Sequence, residues 1–401
     1  MDIKLELGFT DSGAGAPFFT LDDPVRGVLD NTNFPLRLDE GYVDVTEYLA
    51  NVTLNRGKSR ELDRFNAGQL SATLINNGRE FDPTYEASPF FGQIVPKRSV
   101  RLTVNNEIQF VGTSDDWNIS YDAAGNSIAQ VVAYDALSIL SNIGLYAFEP
   151  DEELSGTRIN NALDNIQWSA DLREIDAGNE TLEAQIVGDG SNVLDYLTTV
   201  EQSEVGFFFI NKIGKVRFID RTNIYAESDV LLSDDSSGIP YIGISVNYGS
   251  ELLYNEIQLT SSAGTALVEN AESKALYGTR QLQRATFIAT EADLERVADS
   301  LLQTYDEPEF RFNQLEFQLD LLSEAQLNSL LGLELGDIVQ IRFTPSNLPP
   351  QLVRAARVIS INEAIQPNDS KLVLGFEALT GVPFILSSEL FGIMDTGTLG
   401  Y

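Results

Sequence analysis

Strand-length segments in which apolar and polar residues alternate recur along most of this chain, and Gly, Asn and Asp turn signals separate them. Alternation at period two places every second side chain on one face, so such a segment is stable only as one strand of a half-buried sheet. "VDVTEYLANVTL" alternates through Val43, Val45, Val52 and Leu54, and "GQLSATLI" through Leu70, Ala72 and Leu74. "SVRLTV", an Asn105-Asn106 turn and "EIQFVG" predict a hairpin, and "DWNISYDAAGNSIAQVVAYD" predicts another around Ala124-Gly125-Asn126. Short strands at this spacing predict a small antiparallel barrel or sandwich over roughly 35–140. Residues 2–7 also alternate, whereas 8–40 are rich in Gly, Pro, Asp and Asn without a period and read as an extended arm.

The pattern changes after Pro150. Ile159, Ala162, Leu163 and Ile166 fall at helical spacing. Ser191 stands as a cap before a second helix with Val193, Leu194, Leu197 and Val200 on one face. "GFFFINKIGKVRFIDR" then reads as a hairpin turning at Gly214, with Phe207-Phe208-Phe209 buried on both faces. Alternating segments resume at "YIGISVNY" and continue to "KLVLGFEAL". They are interrupted by the helix "TEADLERVADSLLQTY", where Thr290 and Asp293 stand at capping-box spacing, and by a short helix in "SEAQLNSLL". At 401 residues the chain has room for roughly two to four domains of ~100–200 residues. The predicted fold is mainly β with an α+β insert: two pseudo-duplicated antiparallel β-barrel domains flanking a small helix-plus-hairpin domain. The divisions are a strand and docking arm over 1–40, a first barrel over 41–149, the insert over 150–240, a second barrel with an inserted helix over 241–380, and a docking peptide over 381–401.

The two ends repeat each other. "FFTLDDPVRGVLDN" at 18–31 and "FILSSELFGIMDT" at 384–396 align without a gap: Phe19 on Phe384, Leu21 on Leu386, Gly27 on Gly392 and Asp30 on Asp395. Each peptide has two apolar anchors around a turn and no core of its own, so each must dock. The acceptor is either its own barrel or a neighbouring subunit, reached for instance by strand addition to a sheet edge.

Composition narrows the chemistry. The chain has no Cys and no His, which removes disulfides, thiolate catalysis, Cys/His metal sites and His-based general bases. The acidic pairs Asp22-Asp23, Asp115-Asp116, Glu152-Glu153 and Asp234-Asp235 lack calcium-loop spacing, and no phosphate-binding glycine loop or nucleophile elbow is present. We therefore expect no catalytic residues, no metal and no cofactor, and a non-enzymatic protein. A net charge of −34 opposes binding to phosphate backbones and to anionic membranes. No apolar run approaches the ~18 residues that a membrane helix needs, and the charged N-terminus does not read as a signal peptide. One stretch departs from the acidity: Arg56, Lys58, Arg60, Arg64, Arg79, Lys97, Arg98 and Arg101 form a locally basic island among Glu61, Asp63, Glu80, Asp82 and Glu86. It is either an internal ion-pair face or a charged subunit interface, with Arg56, Arg60, Arg64, Arg79, Arg98 and Arg101 as the interface candidates.

The same stretch carries a resemblance. Its order "RGKSRELDRFNAG", "TLIN", "REFDP", "SP" and "PKRSVR" resembles the minor tail proteins of long-tailed bacteriophages, which are similar to the tail-hub (baseplate hub) family. "VLDYLTTVEQSEVGFFFINKIGKVRFIDR" looks like that family's helix-plus-hairpin insert, "LELGDIVQIRF" looks like the first strand of its second barrel, and the C-terminal peptide looks like a frequent ending of such proteins. The resemblance covers most of 41–401 and is weakest over 8–40. It implies a homotrimer whose six pseudo-equivalent barrels join the sixfold tail tube and distal tail protein ring to a threefold tip. It also implies a channel for the tape-measure protein and for genomic DNA, which passes without specific binding, and contacts with tail-tip or fibre proteins. The location implied is the distal end of the virion tail, after synthesis in the bacterial host cytoplasm. Some relatives carry lytic or receptor-binding domains; none is read here beyond the second barrel. If acidic side chains line the channel, the charge would repel phosphates and let DNA slide. The main alternative is a receptor- or glycan-binding tail-tip protein, which predicts exposed aromatics in a groove. A carboxylate-pair hydrolase is a more distant one.

Overall fold

The computed structural model describes residues 1–9, 41–222, 227–367 and 369–379. The eight terminal-peptide positions Phe19, Leu21, Gly27, Asp30, Phe384, Leu386, Gly392 and Asp395 lie outside the described residues.

The alternating segments of the first half form Ile3–Leu7 (β1), Leu49–Gly57 (β2), Asn66–Ile75 (β3), Ser99–Val104 (β4), Glu107–Tyr121 (β5) and Ser127–Tyr134 (β6). All pair antiparallel in the order β2-β3-β6-β5-β4-β1. The β4–β5 turn is Asn105-Asn106, both with positive φ (49° and 65°), the backbone that a two-residue hairpin of this hand requires and that Asn tolerates. The "TLIN…REFDP" motif closes one end of the sheet. Asn76, fully buried, accepts the Phe81 amide at 2.8 Å and donates to Ser127 Oγ at 3.0 Å. Phe81 is itself fully buried and packs with Phe90, Tyr48 and Trp117.

The insert has helices Ser155–Asn165 (α1) and Val193–Glu204 (α2) and a hairpin of Phe207–Ile210 (β7) and Val216–Ile219 (β8). Every residue of β7 is buried, as an unbroken apolar run requires. The cap of α2 is Asn192 rather than Ser191: its side-chain oxygen accepts the Asp195 amide at 3.1 Å, while the Ser191 hydroxyl turns back to the Gly188 carbonyl. Arg158 on α1 is fully buried and bonded to Glu153, Tyr196 and the carbonyls of Asp151 and Glu183.

The second half contributes Glu227–Ser233 (β9), Gly243–Tyr248 (β10), Glu256–Ser261 (β11), Gly264–Glu269 (β12), Gln281–Ala285 (β13), helix Glu291–Tyr305 (α3), Phe310–Gln318 (β14), helix Glu324–Gly332 (α4), Ile338–Phe343 (β15), Leu352–Ile365 (β16) and Lys371–Ala378 (β17). Thr290 caps α3 by accepting the Asp293 amide at 3.2 Å, and Ser323 with Gln326 forms a full capping box on α4. Strands β11–β13 do not join the main sheet. They form a separate three-stranded sheet covered by α3, with its own core of Ile257, Leu259, Leu294, Val297 and Leu301. The predicted inserted helix therefore brings a sheet with it.

The predicted pair of closed barrels is corrected by the strand pairing. Among the described residues the main sheet is open, mainly antiparallel and continuous, with 14 strands. The physical reason is the length of β16. Of its 14 residues, Ala356–Ala364 pair with β17 on one side, while on the other side β15 takes Leu352–Arg357 and β2 takes Ser360–Ile365. The two halves share this strand instead of closing on themselves. Gly57 permits the junction: its φ is +115°, and a Cβ there would stand 2.2 Å from the Ile359 carbonyl oxygen.

Candidate functional site: a charged clasp at the seam

The alternation of β2 continues through its end, so Val52, Leu54, Arg56 and Lys58 all point into the core. The sequence thereby drives two cations between the halves, and each is met by partners from other parts of the chain. Arg56 Nη2 donates to Glu334 Oε1 at 2.6 Å and to the Ile210 carbonyl of the insert at 3.0 Å. Lys58 Nζ donates to the Glu61 carbonyl at 2.6 Å, stands 3.4 Å from Glu377 at the end of β17, and lies over the rings of Phe207 (4.3 Å) and Phe65 (5.1 Å). Glu61 accepts from Arg311 Nε on β14 at 3.0 Å and from the Ala378 amide at 3.2 Å. Arg357 on β16 pairs with Glu377. "RGKSRE" is thus a clasp holding the first half against the insert and the second half. Burial, reinforced by the Glu377 charge, pushes the Glu61 carboxyl up to about 7 against the opposing pull of Arg311. Burial likewise pushes Glu201 on α2 up to about 7, opposed by Lys58.

The six candidate interface arginines do not form one patch. Arg56 is buried in the clasp. Arg60 and Arg64 lie exposed on its rim, 3.2 Å from Glu251 and 3.1 Å from Asp195. Arg79 bonds Asp82 and lies 4.6 Å from the centre of the Tyr85 ring. Arg98 reaches the Gln93 carbonyl at 3.3 Å. Arg101 bonds Glu6 at 2.7 Å, tying β4 to β1, and covers the ring of Tyr42. Glu334, Glu363, Glu377, Arg311 and Arg357 are members that the sequence reading missed. A signal existed: Glu363 takes the buried position between Ile361 and Ile365 in an alternating strand.

Three cavities flank the clasp. One of about 130 Å³ lies between Lys58, Glu201, Phe207 and Tyr305. A second of about 300 Å³ is lined by Ser59, Asn247, Arg311 and Gln314, and a third of about 300 Å³ by Asn55, Gln69, Ser360 and Asn362. The first lining mixes ion pairs with Leu62, Val205 and Leu301, and the other two are mainly amides, hydroxyls and charged groups. The aromatic rings that reach them, Phe207, Tyr305 and Phe376, are buried rather than exposed as platforms. Among the described residues no cluster of three or more acidic side chains is placed to hold a metal, and no helix is long and apolar enough to cross a membrane.

No family model and no curated protein matches the sequence. Solved structures do match the fold. The tail protein of Neisseria meningitidis MC58 is similar with a TM-score of 0.58 at 10% identity, over 85% of this chain and 94% of that one. The 43 kDa tail protein of prophage MuSo2 from Shewanella oneidensis is similar with a TM-score of 0.56 at 10% identity, over 84% of this chain and 94% of that one. The E. coli c3393 protein, described as a component of the type VI secretion system with structural similarity to the T4 bacteriophage tail proteins gp27 and gp5, is similar with a TM-score of 0.50 at 8% identity, over 83% of this chain and 74% of that one. By its architecture, the chain has the fold of bacteriophage tail proteins.

Proposed function

We propose that this chain is a structural, non-enzymatic hub of a long-tailed phage tail, assembling as a homotrimer at the distal end of the tail. The observation that carries the reading is the shared fold, which extends over most of this chain and 94% of two tail proteins. The resemblance of the clasp segment to the tail-hub family supports it. In this reading the two halves on either side of the seam act as pseudo-equivalent units, so three chains present six. These six meet the sixfold tube through the distal tail protein ring, and the trimer meets tip or fibre proteins below. The tape-measure protein and the genome pass through the centre. The domain divisions at 40, 149, 240 and 380 serve as its working limits, with the segments around Phe19 and Phe384 as docking peptides for partners. Of the basic island, Arg60 and Arg64 are the arginines best exposed for a subunit contact; Arg56 belongs to the interior.

The test is the native mass of the purified chain with and without residues 383–401. A trimer in both forms supports the hub and assigns the C-terminal peptide to an outside partner. A trimer lost on truncation makes the peptide an inter-subunit staple. A monomer in both forms, with no trimer when the distal tail protein is added, refutes the reading.

A further inference from the structure

Glu363 stands on the core face of β16, 4% exposed, opposite Leu54 of β2 and Leu372 of β17. Its Oε2 has no hydrogen-bond partner. The charges facing it are Arg56 from β2 and Lys212 from the β7–β8 turn. Both are engaged elsewhere. Arg56 is held by Glu334 and the Ile210 carbonyl. The Lys212 amide donates to Glu334 Oε2 at 2.7 Å, and its Nζ donates to the carbonyls of Leu331 and Gly332. Asp135, which also faces Arg56, is occupied by the amides of Gly68 (2.7 Å) and Leu137 (2.9 Å). Asp337 faces Glu334 and Lys212 and accepts the Glu334 amide at 2.9 Å. One guanidinium is therefore set among three carboxyls from three parts of the chain and bonded to only one of them.

We propose that Arg56 is a two-position latch set by a proton on Glu363. Neutral Glu363 leaves the guanidinium on Glu334 and Ile210, where it ties the insert to both halves of the sheet. Ionised Glu363, a buried carboxylate with an empty acceptor, draws the guanidinium to itself because an unpaired buried charge is far more costly than an exchanged ion pair. The exchange takes away the only partner that Arg56 gives to the Ile210 carbonyl, and it leaves Glu334 with Lys212 and its own backbone contacts. The edge of the insert at β7 and the segment before β15 then loosen together. Burial pushes Glu363 up to about 7, against the pull of Arg56 and Lys212, so the exchange falls near neutral pH.

The experiment is hydrogen–deuterium exchange of the full chain between pH 6 and 8, corrected for the intrinsic exchange rate and read on peptides spanning 207–216 and 330–338. In the unaltered protein, protection of both peptides falls together above pH 7, by up to about tenfold per pH unit. Glu363→Gln, which keeps the neutral shape, removes the coupled loss at these two peptides and leaves only the fall that the whole chain shows as Glu61 and Glu201 ionise. Glu334→Gln weakens the competing acceptor and moves the loss to lower pH by about one unit. The latch is overturned if the unaltered protein shows no coupled loss, or if Glu363→Gln shows the same loss as the unaltered protein. Should Glu363→Gln not fold, an unmoved midpoint in Glu334→Gln overturns it as well.

Discussion

Arg56→Met tests whether the clasp holds the two halves together. Methionine keeps most of the apolar stem and removes the guanidinium, so the packing loss is small. Two bonds disappear: a charge-assisted one to Glu334 at 2.6 Å, worth about 1.5–3 kcal/mol, and one to the Ile210 carbonyl, which if left unsatisfied costs about 1–3 kcal/mol. The Arg56 side chain is 3% exposed and that of Glu334 is 21% exposed, so solvent relieves only the carboxylate partner. The expected loss is about 3–5 kcal/mol, the range found when one partner of a buried pair is removed. That is a large share of a stability of about 5–15 kcal/mol. Guanidinium chloride unfolding at constant pH, read as a shift in midpoint with an unchanged slope, measures it. The double variant Arg56→Met/Glu334→Gln should recover part of the loss, because the stranded carboxylate is gone. A loss below about 1 kcal/mol, or no recovery in the double variant, would refute the assignment of the clasp as a buried tie.

Other outcomes follow from the same structure. Arg158→Met should cost about 3–5 kcal/mol, and Arg158→Lys should recover little, because lysine cannot serve Glu153, Tyr196 and two carbonyls at once; thermal unfolding of the insert measures both. Thr290→Ala should cost about 1 kcal/mol by freeing the Asp293 amide at the start of α3, measured by the same denaturation. Leu54→Ala at the seam should cost about 2–5 kcal/mol, since Leu54 is 1% exposed. Stability should fall as pH rises from about 5 to 8. Burial raises Glu61 and Glu201 to about 7, so the folded chain binds more protons than the unfolded chain, whose carboxylates titrate near 4. That contribution is fully present below the unfolded values and lost as pH passes about 7. Carboxyls held low, such as Asp82, whose bonds with Thr84 come first, and Asp293, bonded by Thr290 and Arg296, act in the opposite sense below about pH 4. An optimum near pH 4 in a series of unfolding midpoints is expected; a flat profile from 5 to 8 would count against the buried-carboxyl reading.

What the sequence determined by itself was local. Period-two alternation decides which face of a strand is buried whatever the strand pairs with, so Val52 and Leu54, Leu70 to Leu74, and the runs of β16 and β17 were legible. The Asn105-Asn106 turn and the cap at Thr290 depend on residues within a few positions of each other, and they too could be read. The tertiary structure alone decided partners. Nothing in the alternation of β16 says that one flank is divided between β15 and β2, since that depends on where two remote strands stop. For the same reason the expected closed barrels became one open sheet, and β11–β13 left it to pack under α3. The basic island shows the limit most clearly. Arg56 and Arg60 are four residues apart and were read together, as either an internal ion-pair face or a charged interface, yet Arg56 is buried against Glu334, 278 residues away, and Arg60 is exposed. A charge's burial depends on which distant groups neutralise it, and that information exists only once the chain has folded.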